Sequence, residues 1–138
     1  MNDFVLDNSV TMRWCFDSGA HAYADQFLAR LEARRSVAFV PVLWRYEVSA
    51  VLARAQIKAL FPAQKGADFL RSLAALDIRI GDDSSGRVLT DVHRLALQYR
   101  LTSYDAAYLE LARRRGLPLA TLDDELRTAA AAAGVTML

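Results

Sequence analysis

The chain has 138 residues, of which 54% are hydrophobic and 24% charged, so a disordered tail protein is excluded and one domain over residues 1–138 is expected. Seventeen Lys and Arg against 16 Asp and Glu leave a net charge of +1, which neither demands nor forbids a polyanionic partner, because a local patch can do the binding. A single cysteine, Cys15, excludes an internal disulfide framework and a Cys-based zinc site, and it fits a reducing cytoplasm.

No apolar run approaches the roughly 18 residues of a membrane span. The N-terminus, Met1 to Val5, is acidic and does not read as a signal peptide. Phe4-Val5-Leu6 is a short apolar run stopped by Asp7, the pattern of a buried strand. His21 to Ala33 reads as a helix, with Phe27, Leu28 and Leu31 at helical spacing. Val37 to Val40, stopped by Pro41, is a second strand. Leu43 to Ala59 is helical, and Phe61-Pro62 breaks it and opens another helix running to about Leu76. Ile78 to Ile80, closed by Gly81, is a third strand. Ser84 or Ser85 can cap a helix running to about Tyr99. A further helix spans Ser103 to just before Gly116, and Leu117 to Thr121 is a fourth strand. Asp123 to Ala133 is an alanine-rich helix stopped by Gly134, and Val135 to Leu138 is a last strand. Short apolar strands alternating with longer helices imply a parallel sheet covered on both faces, an α/β sandwich of three layers. Active sites of such sheets lie beyond the carboxyl ends of the strands, where the strand order reverses. The residues after Leu6 and Ala120 are therefore the first candidates.

Several kinds of machinery are missing. No G-x-G-x-x-G follows the first strand, no phosphate-binding G-x-x-x-x-G-K-[ST] occurs, and there is no G-x-S-x-G. His21 and His93 lie in helical segments without a second histidine at ligand spacing, and read as structural. Cys15 reads as a small buried hydrophobe.

Carboxylates, by contrast, stand in unexpected places. Asp7 ends an apolar strand and Asp123 follows another. Glu47 shares a helical ridge with Leu43 and Val51, and Asp105 shares one with Tyr108, Leu109 and Ala112. Each alone has a structural alternative: Asp7, Asp105 and Asp123 can cap or complement helix N-termini. Glu47 has none as good, since an unpaired carboxylate on an apolar face is costly. Together the four form a cluster that would repel itself unless a cation occupied it. Oxygen ligands without His or Cys favour a hard ion, Mg²⁺ or Mn²⁺. Such an ion binds phosphate oxygens, so the substrate is expected to be a phosphate ester or phosphodiester. Arg13 near Asp7 and Arg45 near Glu47 suit a nucleic-acid backbone. Arg34-Arg35 and Arg113 to Arg115 are basic clusters that read first as solvated helix surface. Trp14, Trp44 and Tyr104 are either base-stacking side chains or core.

Four segments resemble the PIN domain family, and within it the VapC-type toxins of bacterial toxin–antitoxin pairs. They are Val5-Leu6-Asp7-Asn8-Ser9, the helix carrying Glu47, Thr102-Ser103-Tyr104-Asp105-Ala106-Ala107-Tyr108-Leu109-Glu110-Leu111-Ala112, and Leu119-Ala120-Thr121-Leu122-Asp123-Asp124-Glu125-Leu126. The resemblance covers essentially the whole chain in order and spacing. It implies a PIN-like, Rossmann-like fold and a metal site on Asp7, Glu47, Asp105 and Asp123. Ser9 and Thr121 would be supporting residues that position the carboxylates or a metal-bound water. Asp124 either shares the role of Asp123 or strengthens the helix N-terminus. The implied activity is a Mg²⁺- or Mn²⁺-dependent endoribonuclease that cuts RNA, commonly a homodimer. A VapB-type antitoxin, whose C-terminal segment covers the active site, would neutralise it.

Rival readings meet particular residues that argue against them. A haloacid-dehalogenase-type phosphatase wants an acid at the position held by Ser9. A receiver domain wants a lysine after a late strand, whereas Lys58 and Lys65 fall mid-chain. A catalytically silent interaction module would not need all four acids. A PIN nuclease of RNA processing without a toxin role stays open, and a small antitoxin gene immediately upstream would decide against it.

Overall fold

The computed structural model describes residues 2–83 and 86–138. Strand β1 (Phe4–Leu6) runs through the sheet between β2 (Ala38–Val40) and β4 (Leu119–Ala120), and β3 (Ile78–Ile80) pairs with the outer side of β2. All three pairings are parallel, with Phe4 opposite Ala38, Leu6 opposite Ala120 and Val40 opposite Ile80. Every residue of β1 is fully buried, which explains its uninterrupted apolar run.

The connections decide the layers. Helices α1 (Asn8–Phe16) and α2 (Ala22–Glu32) join β1 to β2, and α3 (Leu43–Ile57) and α4 (Ala63–Ala74) join β2 to β3. Both crossovers step in one direction along the sheet. The next crossover, through α5 (Arg87–Tyr99) and α6 (Ser103–Arg115), steps back past β2 and β1 to β4. Right-handed crossovers put the first four helices on one face and α5 and α6 on the other. Helix α7 (Asp124–Ala132) packs beside α6. The result is the expected α/β/α sandwich, and the order β3-β2-β1-β4 reverses between β1 and β4.

Under β1 the core is aromatic, with Phe4 and Phe27 ring centroids 5.2 Å apart and Tyr23 edge-on to Phe27 at 5.1 Å. Burying each such side chain stabilises the fold by about 1.5–3 kcal/mol. Trp14 and Trp44 are buried, and the indole N–H of Trp14 donates to the Ala24 carbonyl at 2.8 Å. They are core residues, which removes them as base-stacking candidates.

Most boundaries lie within a residue or two of expectation, and three differences have a structural cause. The fourth strand shrinks to Leu119–Ala120, because Pro118 has no N–H to donate and Thr121 turns away to serve the site described below. The expected last strand reduces to a single parallel bridge between Leu119 and Met137. Helix α4 begins at Ala63, with Pro62 at its N-cap rather than inside the first turn. The capping role of Ser84 or Ser85 lies outside the described residues. Among the described residues no helix is long and apolar enough to cross a membrane.

Candidate active site

Asp7 is where β1 ends and α1 begins. Its backbone has the extended conformation of an N-cap, yet its side chain makes no capping bond. The carboxylate is held instead from two other places. Ser9 Oγ donates to Asp7 Oδ2 at 2.6 Å, and Thr121 Oγ1 donates to the same oxygen at 2.7 Å. Each hydroxyl also accepts a backbone N–H from the turn after β4: Leu122 to Ser9 at 2.9 Å, and Asp123 to Thr121 at 3.0 Å. The two hydroxyls therefore pin the β4–α7 turn onto Asp7. Arg127 braces this turn from the other side, donating from Nη1 to the Thr121 carbonyl at 2.9 Å.

Glu47 sits half-buried on α3, on the far face of the sheet from α6. Its Oε1 accepts from the Tyr108 hydroxyl at 2.5 Å, and Tyr108 is wholly buried on α6. Asp105 lies one turn earlier on α6. The cap of that helix is Thr102, whose side chain accepts the Asp105 N–H at 3.1 Å, so Asp105 is not the capping residue. Asp123 does cap α7, its Oδ1 accepting from Leu126 N at 2.9 Å.

The four carboxylates share one electrostatic environment. Burial pushes Asp7 up, the Ser9 and Thr121 hydroxyls oppose it, and Asp123 adds to it. Burial also raises Glu47 against the pull of Tyr108, with Asp7 and Asp105 adding repulsion. Asp105 is pushed up to about 6 by burial first, then by Asp123, Asp7 and Glu125. Among the described residues, the leading charges acting on these three groups are acidic. Glu125 was not expected here, although the run Asp123-Asp124-Glu125 was the signal for it. Asp124 is exposed on the first turn of α7, where it suits the helix N-terminus.

The donor chemistry fits a hard divalent ion: oxygens only, crowded enough to repel. Among the described residues, however, no three His, Cys, Asp or Glu side chains stand close enough together to hold a metal ion by themselves.

The basic candidates fare differently. Arg13 is paired with Asp17 at 2.7 Å, one helical turn away. Arg45 and Tyr104 are exposed beside Glu47 and Asp105 in sequence. In the Arg113–Arg115 cluster, Arg114 forks onto buried Glu110 at 2.8 and 3.2 Å, and Arg115 lies 4.2 Å over the Phe39 ring. These two arginines hold α6 rather than offering a free basic patch. His21 is structural, its ring nitrogen accepting the Ala24 N–H at the start of α2.

The fold recurs in known structures. PAE2754 from Pyrobaculum aerophilum superposes with a TM-score of 0.67 at 23% identity, over 93% of this chain and 84% of that one. VapBC2 from Rickettsia felis, bound to a DNA fragment from its promoter, gives 0.72 at 10% identity over 99% and 97%. FitAcB from Neisseria gonorrhoeae gives 0.59 at 14% identity over 98% and 96%. Among curated proteins, none matches the sequence. The PIN domain family model matches residues 4–132, nearly the whole sheet and all seven described helices, and the chain belongs to the PIN domain family.

Proposed function

We propose that this chain is a Mg²⁺- or Mn²⁺-dependent endoribonuclease, the toxin of a type II toxin–antitoxin pair. The observation that carries the reading is the group of acids beyond the carboxyl ends of β1 and β4, where burial and neighbouring carboxylates push Asp7, Glu47 and Asp105 up and Asp123 is one of the charges acting on Asp7 and Asp105. Membership of a family whose members are generally metal-dependent nucleases supports it. Asp7, Glu47, Asp105 and Asp123 would be the residues that hold the ion, directly or through its waters, and it would supply Lewis-acid polarisation of a phosphodiester. Ser9 and Thr121 fix one oxygen of Asp7 so that its carboxylate meets the ion in one orientation. Exposed Arg45 contacts the RNA backbone, and Tyr104, 66% exposed, offers a ring to an unstacked base. Arg13 contributes only by breaking its pair with Asp17.

The toxin role rests on the motif resemblance to VapC-type proteins and on the fold shared with VapBC2 and FitAcB. Exposed Ile57, Leu60 and Leu70 around α3 and α4, and Leu89 and Leu97 on α5, support protein contacts, with a second copy and with a VapB-type antitoxin. Purified protein freed of antitoxin should cut single-stranded RNA with Mg²⁺ or Mn²⁺, stop in EDTA, and lose activity in Asp7→Asn. Cleavage that persists in EDTA and in Asp7→Asn overturns the nuclease reading. Failure to bind the product of an adjacent small gene on co-expression overturns the toxin reading alone.

A further inference from the structure

We propose that Tyr108 is a positioning residue that aims the Glu47 carboxylate at the carboxyl end of β1; the inference rests on the metal-site reading above. The bond crosses the sandwich. Tyr108 belongs to α6 on one face and Glu47 to α3 on the other, 61 residues apart, and their side chains meet past the end of β1. Among the described residues, the Tyr108 hydroxyl is the one hydrogen-bond partner of Glu47. Glu47 has three rotatable side-chain torsions, and holding such a chain in one rotamer costs conformational entropy. A wholly buried ring supplies a fixed point for it, because close packing around Tyr108 restricts the ring to one place.

The proton of Tyr108 is committed in direction. A carboxylate oxygen can only accept, so the Tyr108 hydroxyl donates to Glu47 rather than receiving. Tyr108 thereby ties α6 to α3 at one atom. The device repeats the one at Asp7: hydroxyls occupy one carboxylate oxygen and leave the other to a ligand. Asp105, one turn before Tyr108 on the same helix, is fixed relative to Glu47 by the same contact.

A double-mutant cycle on Mn²⁺ affinity tests this, using wild type, Tyr108→Phe, Glu47→Gln and the pair, with Mn²⁺ itself as the calorimetric probe. Tyr108→Phe should weaken Mn²⁺ binding about tenfold or more, the usual loss when a residue behind a metal ligand is removed. In the Glu47→Gln background the same change should cost nothing further, because the carboxylate through which Tyr108 acts is gone. An unchanged Mn²⁺ affinity in Tyr108→Phe overturns the proposal, and so does an equal loss in both backgrounds, which marks a purely structural tyrosine. If Tyr108→Phe does not fold, Glu47→Asp replaces it: the shorter acid keeps its charge but retreats from Tyr108, and undiminished Mn²⁺ binding there overturns the proposal. A wild type that binds no Mn²⁺ overturns the metal reading and this inference together. Wild-type binding with an indifferent Tyr108→Phe removes only the inference.

Discussion

Thr121 and Asp7 are 114 residues apart in the chain, and the hydroxyl of one donates to the carboxylate of the other at 2.7 Å inside the protein. The bond depends on the reversal of strand order, which sets the ends of β1 and β4 side by side. Thr121 is fully buried, so Thr121→Val keeps the shape and removes both the donor to Asp7 and the acceptor of the Asp123 N–H. Leaving buried polar groups unpaired costs about 1–3 kcal/mol. Urea unfolding should show a loss of that size for Thr121→Val, and a much smaller one for Thr121→Ser, which retains the hydroxyl.

Asp105 separates a metal site from a set of helix caps. With Thr102 as the cap, asparagine at 105 loses no capping bond and gives up only the modest attraction of a first-turn charge to the start of α6. It does suffer repulsion from Asp123, Asp7 and Glu125. In EDTA at neutral pH, Asp105→Asn should be neutral or more stable by about 1 kcal/mol, a figure kept small because the side chain is partly in solvent. The wild type should gain thermal stability from Mg²⁺ or Mn²⁺, and the variant should lose most of that gain. Thermal unfolding in both buffers reads both effects. Equal destabilisation of Asp105→Asn with and without metal contradicts the four-carboxylate site.

Stability should also fall with rising pH where most proteins gain it. Asp105 holds its proton up to about pH 6 in the folded chain, against about 3.9 when unfolded. Between about pH 4 and pH 6 the folded state therefore binds more protons than the unfolded one. Its contribution is complete below pH 4 and is lost as pH rises through 6. Asp7 and Glu47, also raised, act in the same direction. Metal-free unfolding midpoints at pH 4, 5, 6 and 7 should show wild type losing ground to Asp105→Asn across that window. A difference independent of pH contradicts the raised carboxyl.

Ala59 offers a stability test remote from the site. It follows α3 with a φ of 55°, the left-handed conformation that favours glycine, and Leu60 N closes back on the Ala55 carbonyl at 2.9 Å. A Cβ there costs about 1 kcal/mol. Ala59→Gly should be more stable by roughly 0.5–1 kcal/mol in chemical denaturation, less whatever glycine's looser unfolded chain takes back. Activity on RNA should not change.

The amino-acid sequence by itself determined which segments could be strands and where their chemistry stood. Phe4-Val5-Leu6 is too short and too apolar for anything but a buried strand, so Asp7 at its end stood out, as Asp123 did beyond Leu119-Ala120. Glu47 was legible because helical periodicity sets a carboxylate among Leu43 and Val51. Periodicity gives the face of a residue but not its partner. It could not tell that Asp105 leaves the capping to Thr102 while Asp123 caps α7, since both stand near helix starts and only the local turn decides. It could not sort the arginines either. Arg13 turns to Asp17, Arg114 to Glu110 and Arg115 to Phe39, and such choices are made by side chains that meet only after packing. Tyr108 is the clearest case. In the sequence it is one more large residue on the buried ridge of α6; its hydroxyl finds Glu47 only because a right-handed crossover carries α6 to the opposite face of the sheet, within reach of α3 past the end of β1.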